Sequence, residues 1–117
     1  MLVYLYLADL YCQQCGEAIR DKITSEGFAP VDPDDEFSYD SDNFPKGPYP
    51  TNESDCPEHC GAGPDCINAI ELEDGSKIGA WLENDLTKDG VEYVHKAIRE
   101  GGEVAELWAG YYQDVLQ

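Results

Sequence analysis

The sequence predicts an α+β fold, a small antiparallel sheet accompanied by about three helices. Three observations predict it. A short run of β-branched and aromatic residues opens the chain, a hairpin pattern follows its midpoint, and apolar residues recur at three- and four-residue steps near its end.

The first strand is expected over residues 2–8, Leu-Val-Tyr-Leu-Tyr-Leu-Ala. Cys12-Gln13-Gln14-Cys15-Gly16 interrupts it, and a helix is expected from Glu17 to Glu26, with Ile19 and Ile23 one turn apart. Gly27 stands where a C-terminal cap belongs, with Phe28 placed for the packing contact that accompanies such caps.

Residues 29–58 differ in kind. They hold most of the prolines, nine acids and one base, Lys46, and show neither helical nor strand period. The expectation is a long acidic loop, with Phe37, Tyr39, Phe44 and Tyr49 available to pin it to the body. Loops of this length inside small domains are generally functional or disordered, and a plain solvated loop is the competing reading.

Beyond it, residues 67–73 and 77–82 flank Asp74-Gly75, a hairpin signal. Thr87 is placed to cap a helix from Lys88 to Glu100, with Asp89 in its first turn, Val91, Val94 and Ile98 on one face, and Glu92 four residues before Lys96. Gly101-Gly102 ends it. A last amphipathic helix is expected over Glu103 to Leu116, its stripe formed by Val104, Leu107, Trp108, Tyr111, Tyr112 and Val115. The expected sheet thus comprises 2–8, 67–73 and 77–82.

A chain of 117 residues is one domain by length. Its core is small, and small cores call for a staple. Five cysteines offer one. Cys12 and Cys15, followed by Gly16, have the form of a zinc knuckle, in which two thiolates converge on one metal. A tetrahedral site needs two more ligands from the stretch Cys56 to Cys66. Cys60 and Cys66 are the choice, because Gly61 and Gly63 free the loop between them, while His59 and Cys56 are reserves. The prediction is therefore one structural zinc, at Cys12, Cys15, Cys60 and Cys66. An odd cysteine count fits four ligands and a spare better than a disulfide framework. The apolar run 2–8 has neither basic residues before it nor a small-residue cleavage site after it, so a reducing cytoplasm is expected. A C-x-x-C between strand and helix also has thioredoxin geometry, so a redox reading stays open, although no basic neighbour activates the pair.

The balance of 25 acids against 7 bases, net −18, excludes the basic stripe that nucleic acid or an anionic membrane requires. It favours a basic protein surface instead. Asp32, Asp34, Asp35, Glu36, Asp40 and Asp42 are the candidate partner-binding residues. They fail as a calcium loop, since Phe37 and Asn43 stand where glycine and glutamate are needed. No zincin, Walker, nucleophile-elbow or dinucleotide motif is present, and the order of Glu58-His59-Cys60 is wrong for a deaminase, so an enzyme is not expected.

Several segments together carry a family resemblance: Cys12-Gln13-Gln14-Cys15-Gly16, Tyr39-Asp40-Ser41-Asp42, Phe44-Pro45-Lys46-Gly47-Pro48-Tyr49, Pro57-Glu58-His59-Cys60, Trp81-Leu82-Glu83-Asn84 and Leu86-Thr87 with Gly90-Val91-x-Tyr93-Val94. In these the chain resembles small acidic proteins of phages, prophages and plasmids, over nearly its whole length. The resemblance implies paired cysteines at Cys12, Cys15, Cys60 and Cys66, in a bacterial host cytoplasm. It also implies that Cys56 stands where serine is usual, and it leaves the part played by His59 open. Two functions follow as expectations. One is an acidic, DNA-mimicking inhibitor of a basic nucleic-acid-binding protein, of the anti-restriction or anti-CRISPR type. The other is a structural or regulatory zinc-ribbon-like docking module.

Overall fold

The computed structural model describes residues 1–116. Among these, three α-helices accompany two small antiparallel sheets, an α+β arrangement. Strand β1 (Leu2–Tyr6) turns into β2 (Asp9–Cys12), which runs directly into helix α1 (Gln13–Ser25). Strand β3 (Lys46–Pro50) lies on the other side of β1, giving the order β2-β1-β3. Strands β4 (Ile70–Glu71) and β5 (Lys77–Ile78) form a separate two-stranded ladder. Helices α2 (Lys88–Glu100) and α3 (Glu103–Tyr111) close the chain.

The sheet differs from the expected one in membership. Residues 2–8 are a strand and a turn: Leu7 and Ala8 both adopt positive φ (50° and 61°), and Tyr6 pairs with Asp9 across them. That is the backbone of a tight hairpin turn, which usually carries Asn-Gly. Here the Leu7 amide is held by the Ser41 carbonyl at 3.1 Å, an anchor outside the hairpin. The third strand comes from the proline-rich loop. Pro48 and Pro50 cannot donate to a ladder, but β3 is an edge strand, where proline is tolerated.

Residues 67–73 and 77–82 shrink to two paired residues each and do not join β1. Ala69 is held in a turn on Cys66 (3.1 Å), and residues 80–82 pair with 58–60 instead: Cys60 N–H donates to the Ala80 carbonyl (2.8 Å) and Leu82 N–H to Glu58 (2.9 Å). Gly79 makes this approach possible, since a Cβ there would lie 2.2 Å from the Cys60 carbonyl oxygen.

Helix α1 begins four residues before the expected Glu17, so that Cys15 lies in its first turn. Gly27 (φ +84°) ends it as expected, but Phe28 points to solvent rather than packing. Gly16 has no turn to make. It sits within α1 against β1, where a Cβ would fall 2.3 Å from the Tyr4 ring, so only glycine lets helix and strand meet. Helix α2 has the expected bounds, capped by the Thr87 hydroxyl accepting from Gly90 N–H at 3.0 Å. Val94 is fully buried, Ile98 is on the margin, and the ion pair of this helix joins Lys96 to Glu100 at 4.0 Å rather than to Glu92. Helix α3 stops at Tyr111, short of Leu116, and Val115 is exposed.

Arg20 of α1 holds the acidic loop. Its guanidinium donates to the carbonyls of Pro45 (2.9 Å) and Gly47 (3.3 Å) and to the Tyr39 hydroxyl (3.2 Å), and lies over the rings of Tyr4 and Phe44. Phe44 is buried and Tyr39 packs edge-on against it, whereas Phe37 is exposed and pins nothing. Tyr49 donates a short hydrogen bond to Glu36, clasping the 3₁₀ turn Glu36–Ser38 to β3. That bond, with burial second, pushes the Tyr49 phenol up to about 12 from 10.0. The folded-state value is raised, so this contribution is complete below pH 10 and disappears as pH rises through about 12. In a tyrosinate absorbance titration, Tyr49 is expected among the late-ionising phenols, together with the burial-raised Tyr4, Tyr11, Tyr39, Tyr111 and Tyr112, and Tyr49→Phe should lower the late amplitude by one phenol.

The molecule is thin, 49 × 32 × 18 Å, with a radius of gyration of 15.9 Å. A globule of this length would have about 13.4 Å. The apolar core is correspondingly slight. One buried cluster comprises Val3, Leu82 and four cysteines, so sulfur supplies most of it. No helix among the described residues is long and apolar enough to cross a membrane.

Candidate metal centre

Cys12, Cys15, Cys60 and Cys66 come together although up to 54 residues separate them. Each is brought by a different device. Cys12 ends β2 opposite Val3 and occupies the N-cap position of α1, and Cys15 follows in the first helical turn. Cys60 is held by its backbone bond to Ala80, with Gly61 N–H donating to the Leu10 carbonyl at 2.7 Å. Cys66 follows the 3₁₀ turn Gly63–Asp65.

The four sulfurs lie within 4.8 Å of one another, and no cysteine residue there is more than 6% exposed. Cys66 Sγ is 3.8 Å from Cys12 Sγ and 3.7 Å from Cys15 Sγ. A tetrahedral zinc with Zn–S bonds of about 2.3 Å requires sulfur–sulfur edges of about 3.8 Å. The spacing fits that polyhedron and is far from the roughly 2.05 Å of a disulfide. All five cysteines are free thiols.

The surroundings are arranged for negative sulfur. Backbone N–H groups point at the cluster: Cys12 to Cys60 Sγ (3.3 Å), Ile67 to Cys15 Sγ (3.3 Å) and Asn68 to Cys66 Sγ (3.4 Å). The Asn68 side-chain amide approaches Cys12 Sγ at 3.9 Å and is fixed by a short bond to Gln14. Cys12 and Cys15 also sit at the positive end of α1. Without a metal these contributions do not prevail everywhere. Burial pushes Cys15 well above the ordinary thiol range and Cys60 up to about 11. For Cys66 burial also acts upward, but donation from the Ala80 and Asn68 amides and neighbouring thiols outweighs it and lowers the value. Buried sulfurs that resist ionisation, yet are ringed by amide donors, form a site whose thiolates a cation would complete.

The two reserve ligands lie elsewhere. Cys56 is exposed and outside the cluster. His59 uses both ring nitrogens on protein partners. Trp108 Nε1, which can only donate, gives its proton to His59 Nε2 at 3.0 Å, so Nδ1 carries the hydrogen and donates to the Gly79 carbonyl at 2.7 Å. A ring so engaged has no lone pair left for a metal. The thioredoxin-like alternative meets a different obstacle: both thiols of the C-x-x-C are buried, and Cys15 is driven upward, whereas exchange chemistry needs an accessible thiol of lowered pKa.

Asp32, Asp34, Asp35, Asp40 and Asp42 are exposed, and Glu36 is half-buried against Tyr49. Three of them also knot the loop: Asp32, Asp35 and Asp40 accept from the amides of Asp34, Phe37 and Asp42. Among the described residues Lys96–Glu100 is the one ion pair, so the carboxylates project their charge outward unneutralised. Residues 67, 68, 79 and 80 contribute to the centre through backbone atoms, which no side-chain pattern announces.

Fold and site together define an α+β protein organised around four buried cysteines fit to hold a metal ion. Comparison with protein-family models, with curated proteins and with solved structures found no match.

Proposed function

We propose that this chain is a zinc-stapled acidic interaction protein of a bacterial mobile element. It acts in the host cytoplasm by occupying the nucleic-acid groove of a basic protein. Zinc is the ion best matched to four thiolates at these spacings in a closed site, and its task is structural. The observation that carries the functional reading is the surface charge. A net −18 with a single internal ion pair among the described residues leaves carboxylates free to compete with DNA phosphates for Lys and Arg. The pinning of the acidic loop by Arg20 and Tyr49 supports it, because a surface ordered in advance loses less entropy on binding.

The test is capture of the partner from a bacterial host, followed by competition with DNA. The expected complex excludes DNA and weakens on the order of a hundredfold or more between about 50 and 200 mM salt. A complex that tolerates salt and leaves DNA binding intact would instead favour the zinc-ribbon-like docking module, with the acidity serving solubility.

A further inference from the structure

Large apolar side chains are seldom left fully in water beside one another. Three are here. Phe28, Val31 and Phe37 are 75%, 105% and 91% exposed, all within the stretch that follows α1. Phe28 and Val31 line an open groove of about 430 Å³ with Pro30, Asp32, Ser38, Tyr39, Asn43 and Phe44. Phe37 stands on the 3₁₀ turn, one residue before Ser38 of that lining. The floor is firm, since Phe44 is buried and Tyr39 is held by Arg20 and by the Pro33 carbonyl. A groove of this size accepts one or two bulky side chains.

Charge decides what enters it. Asp32 is part of the lining, and Asp34, Asp35, Asp40 and Asp42 are exposed in the same loop. The loop's base, Lys46, lies over the Tyr39 ring at 5.4 Å. A second copy of the chain would bring another −18 to this face, and nucleic acid or anionic lipid would be repelled in the same way. An apolar floor with Asp32 in its lining and further unpaired carboxylates in the same loop complements a segment with bulky apolar side chains among lysines and arginines.

We infer that this groove is the anchor point for a cationic amphipathic segment of the partner protein, so that binding combines an apolar insertion with the charge contact. The inference rests on the proposed acidic interaction role and adds to it a defined site and a chemistry for the bound segment. It makes Phe28 and Val31 the anchoring residues, with Asp32 of the lining and the other aspartates of the loop steering the approach.

The test uses the full metal-loaded chain and two synthetic peptides of equal charge, a leucine–lysine amphipathic helix and oligolysine. The amphipathic peptide is expected to bind at least about tenfold more tightly, with nuclear magnetic resonance shifts concentrated at Tyr39 and Phe44. Phe28→Ser combined with Val31→Ser should abolish that margin while leaving oligolysine binding and the melting temperature unchanged, both side chains being exposed. Equal affinity for the two peptides, or a margin that survives the double substitution, overturns the groove assignment and leaves the acidic-surface reading standing. Failure of both peptides to bind at low salt overturns the two together. A concentration-dependent dimer that the double substitution dissolves would show that a second copy is the occupant, and would also overturn it.

Discussion

Chelating the metal from the reduced protein is expected to unfold it. Of the six residues in the buried cluster around the site, four are the cysteines themselves, leaving Val3 and Leu82 as its fully apolar members. Structural zinc contributes roughly 10–16 kcal/mol in small zinc-binding peptides, as much as or more than the roughly 5–15 kcal/mol that holds a typical domain folded. Metal analysis should find one zinc per chain, and circular dichroism should show the cooperative melt vanish with chelator. Cys60→Ser or Cys66→Ser should behave like the chelated protein. Cys56→Ser should keep its zinc and shift stability by no more than about 0.5 kcal/mol, because that side chain is exposed and outside the cluster. Stable, chelator-resistant folding of the zinc-free chain would refute the staple.

The pH dependence of the two forms should have opposite sign. In the metal-free fold, burial raises Cys60 to about 11 from 9.0, so the folded chain holds that proton more tightly than the unfolded one. Whatever metal-free fold persists therefore keeps this contribution below pH 9 and loses it as pH rises toward 11. The zinc-bound protein needs thiolates, so protons compete with the metal and stability falls as the solution is acidified. Melting curves of the zinc-loaded protein across pH measure the acid slope, and residual near-ultraviolet circular dichroism of the chelated chain, which shows no cooperative melt, follows the alkaline one.

The elements that were legible in the sequence are those whose signals are local. Thr87, three residues before Gly90, marks the start of α2, and Gly101 (φ +82°) marks its end. The convergence of Cys60 and Cys66 on Cys12 and Cys15 was readable because Gly61 and Gly63 lie in the loop between the second pair. What stayed hidden depends on distant partners. Leu7-Ala8 has no intrinsic preference for a turn with both φ angles positive, and the Ser41 carbonyl that helps to hold it lies 34 residues away. Strand β3 was masked by its prolines, since the rule against proline in strands applies to both edges only when the strand is central. Arg20 reads as an ordinary solvated base on a helix, yet it joins α1 to the acidic loop through three hydrogen bonds. Gly16 follows the C-x-x-C as a knuckle glycine does, but its place is set by the Tyr4 ring. In each case the deciding contact is long-range, and composition or periodicity carries no record of it.

Asn84→Asp is expected to be the most damaging substitution outside the cysteines. Asn84 is 1% exposed and uses its whole amide. Its Oδ1 accepts from Glu58 N–H (2.8 Å) and the Tyr112 hydroxyl (3.1 Å), while its Nδ2 donates to the carbonyls of Cys56 (3.0 Å) and Asp85 (3.1 Å). The Tyr112 hydroxyl shares its one proton between that Oδ1 and the nearer Asn84 carbonyl at 2.8 Å, and its oxygen accepts from Trp81 Nε1 at 3.0 Å. This one side chain therefore joins the segment leading to Cys60, the segment following β5 and helix α3. A carboxylate would keep the two incoming bonds but would aim negative oxygen at the two carbonyls from a side chain that is almost fully buried. A buried charge left without a compensating partner destabilises by roughly 3–5 kcal/mol, and Asn84→Asp should fall in that range near neutral pH. Because protonating the new carboxyl restores a donor, part of the loss should be recovered as pH falls. Asn84→Ala cannot recover in this way, and leaves the Glu58 amide and the Cys56 carbonyl without partners, at about 1–3 kcal/mol for each group left unsatisfied. Denaturant unfolding of the zinc-loaded variants at two pH values measures both effects. Equal losses for Asp and Ala with no recovery in acid would mean that the cost is one of packing alone, and that the four hydrogen bonds of Asn84 do not hold these segments together.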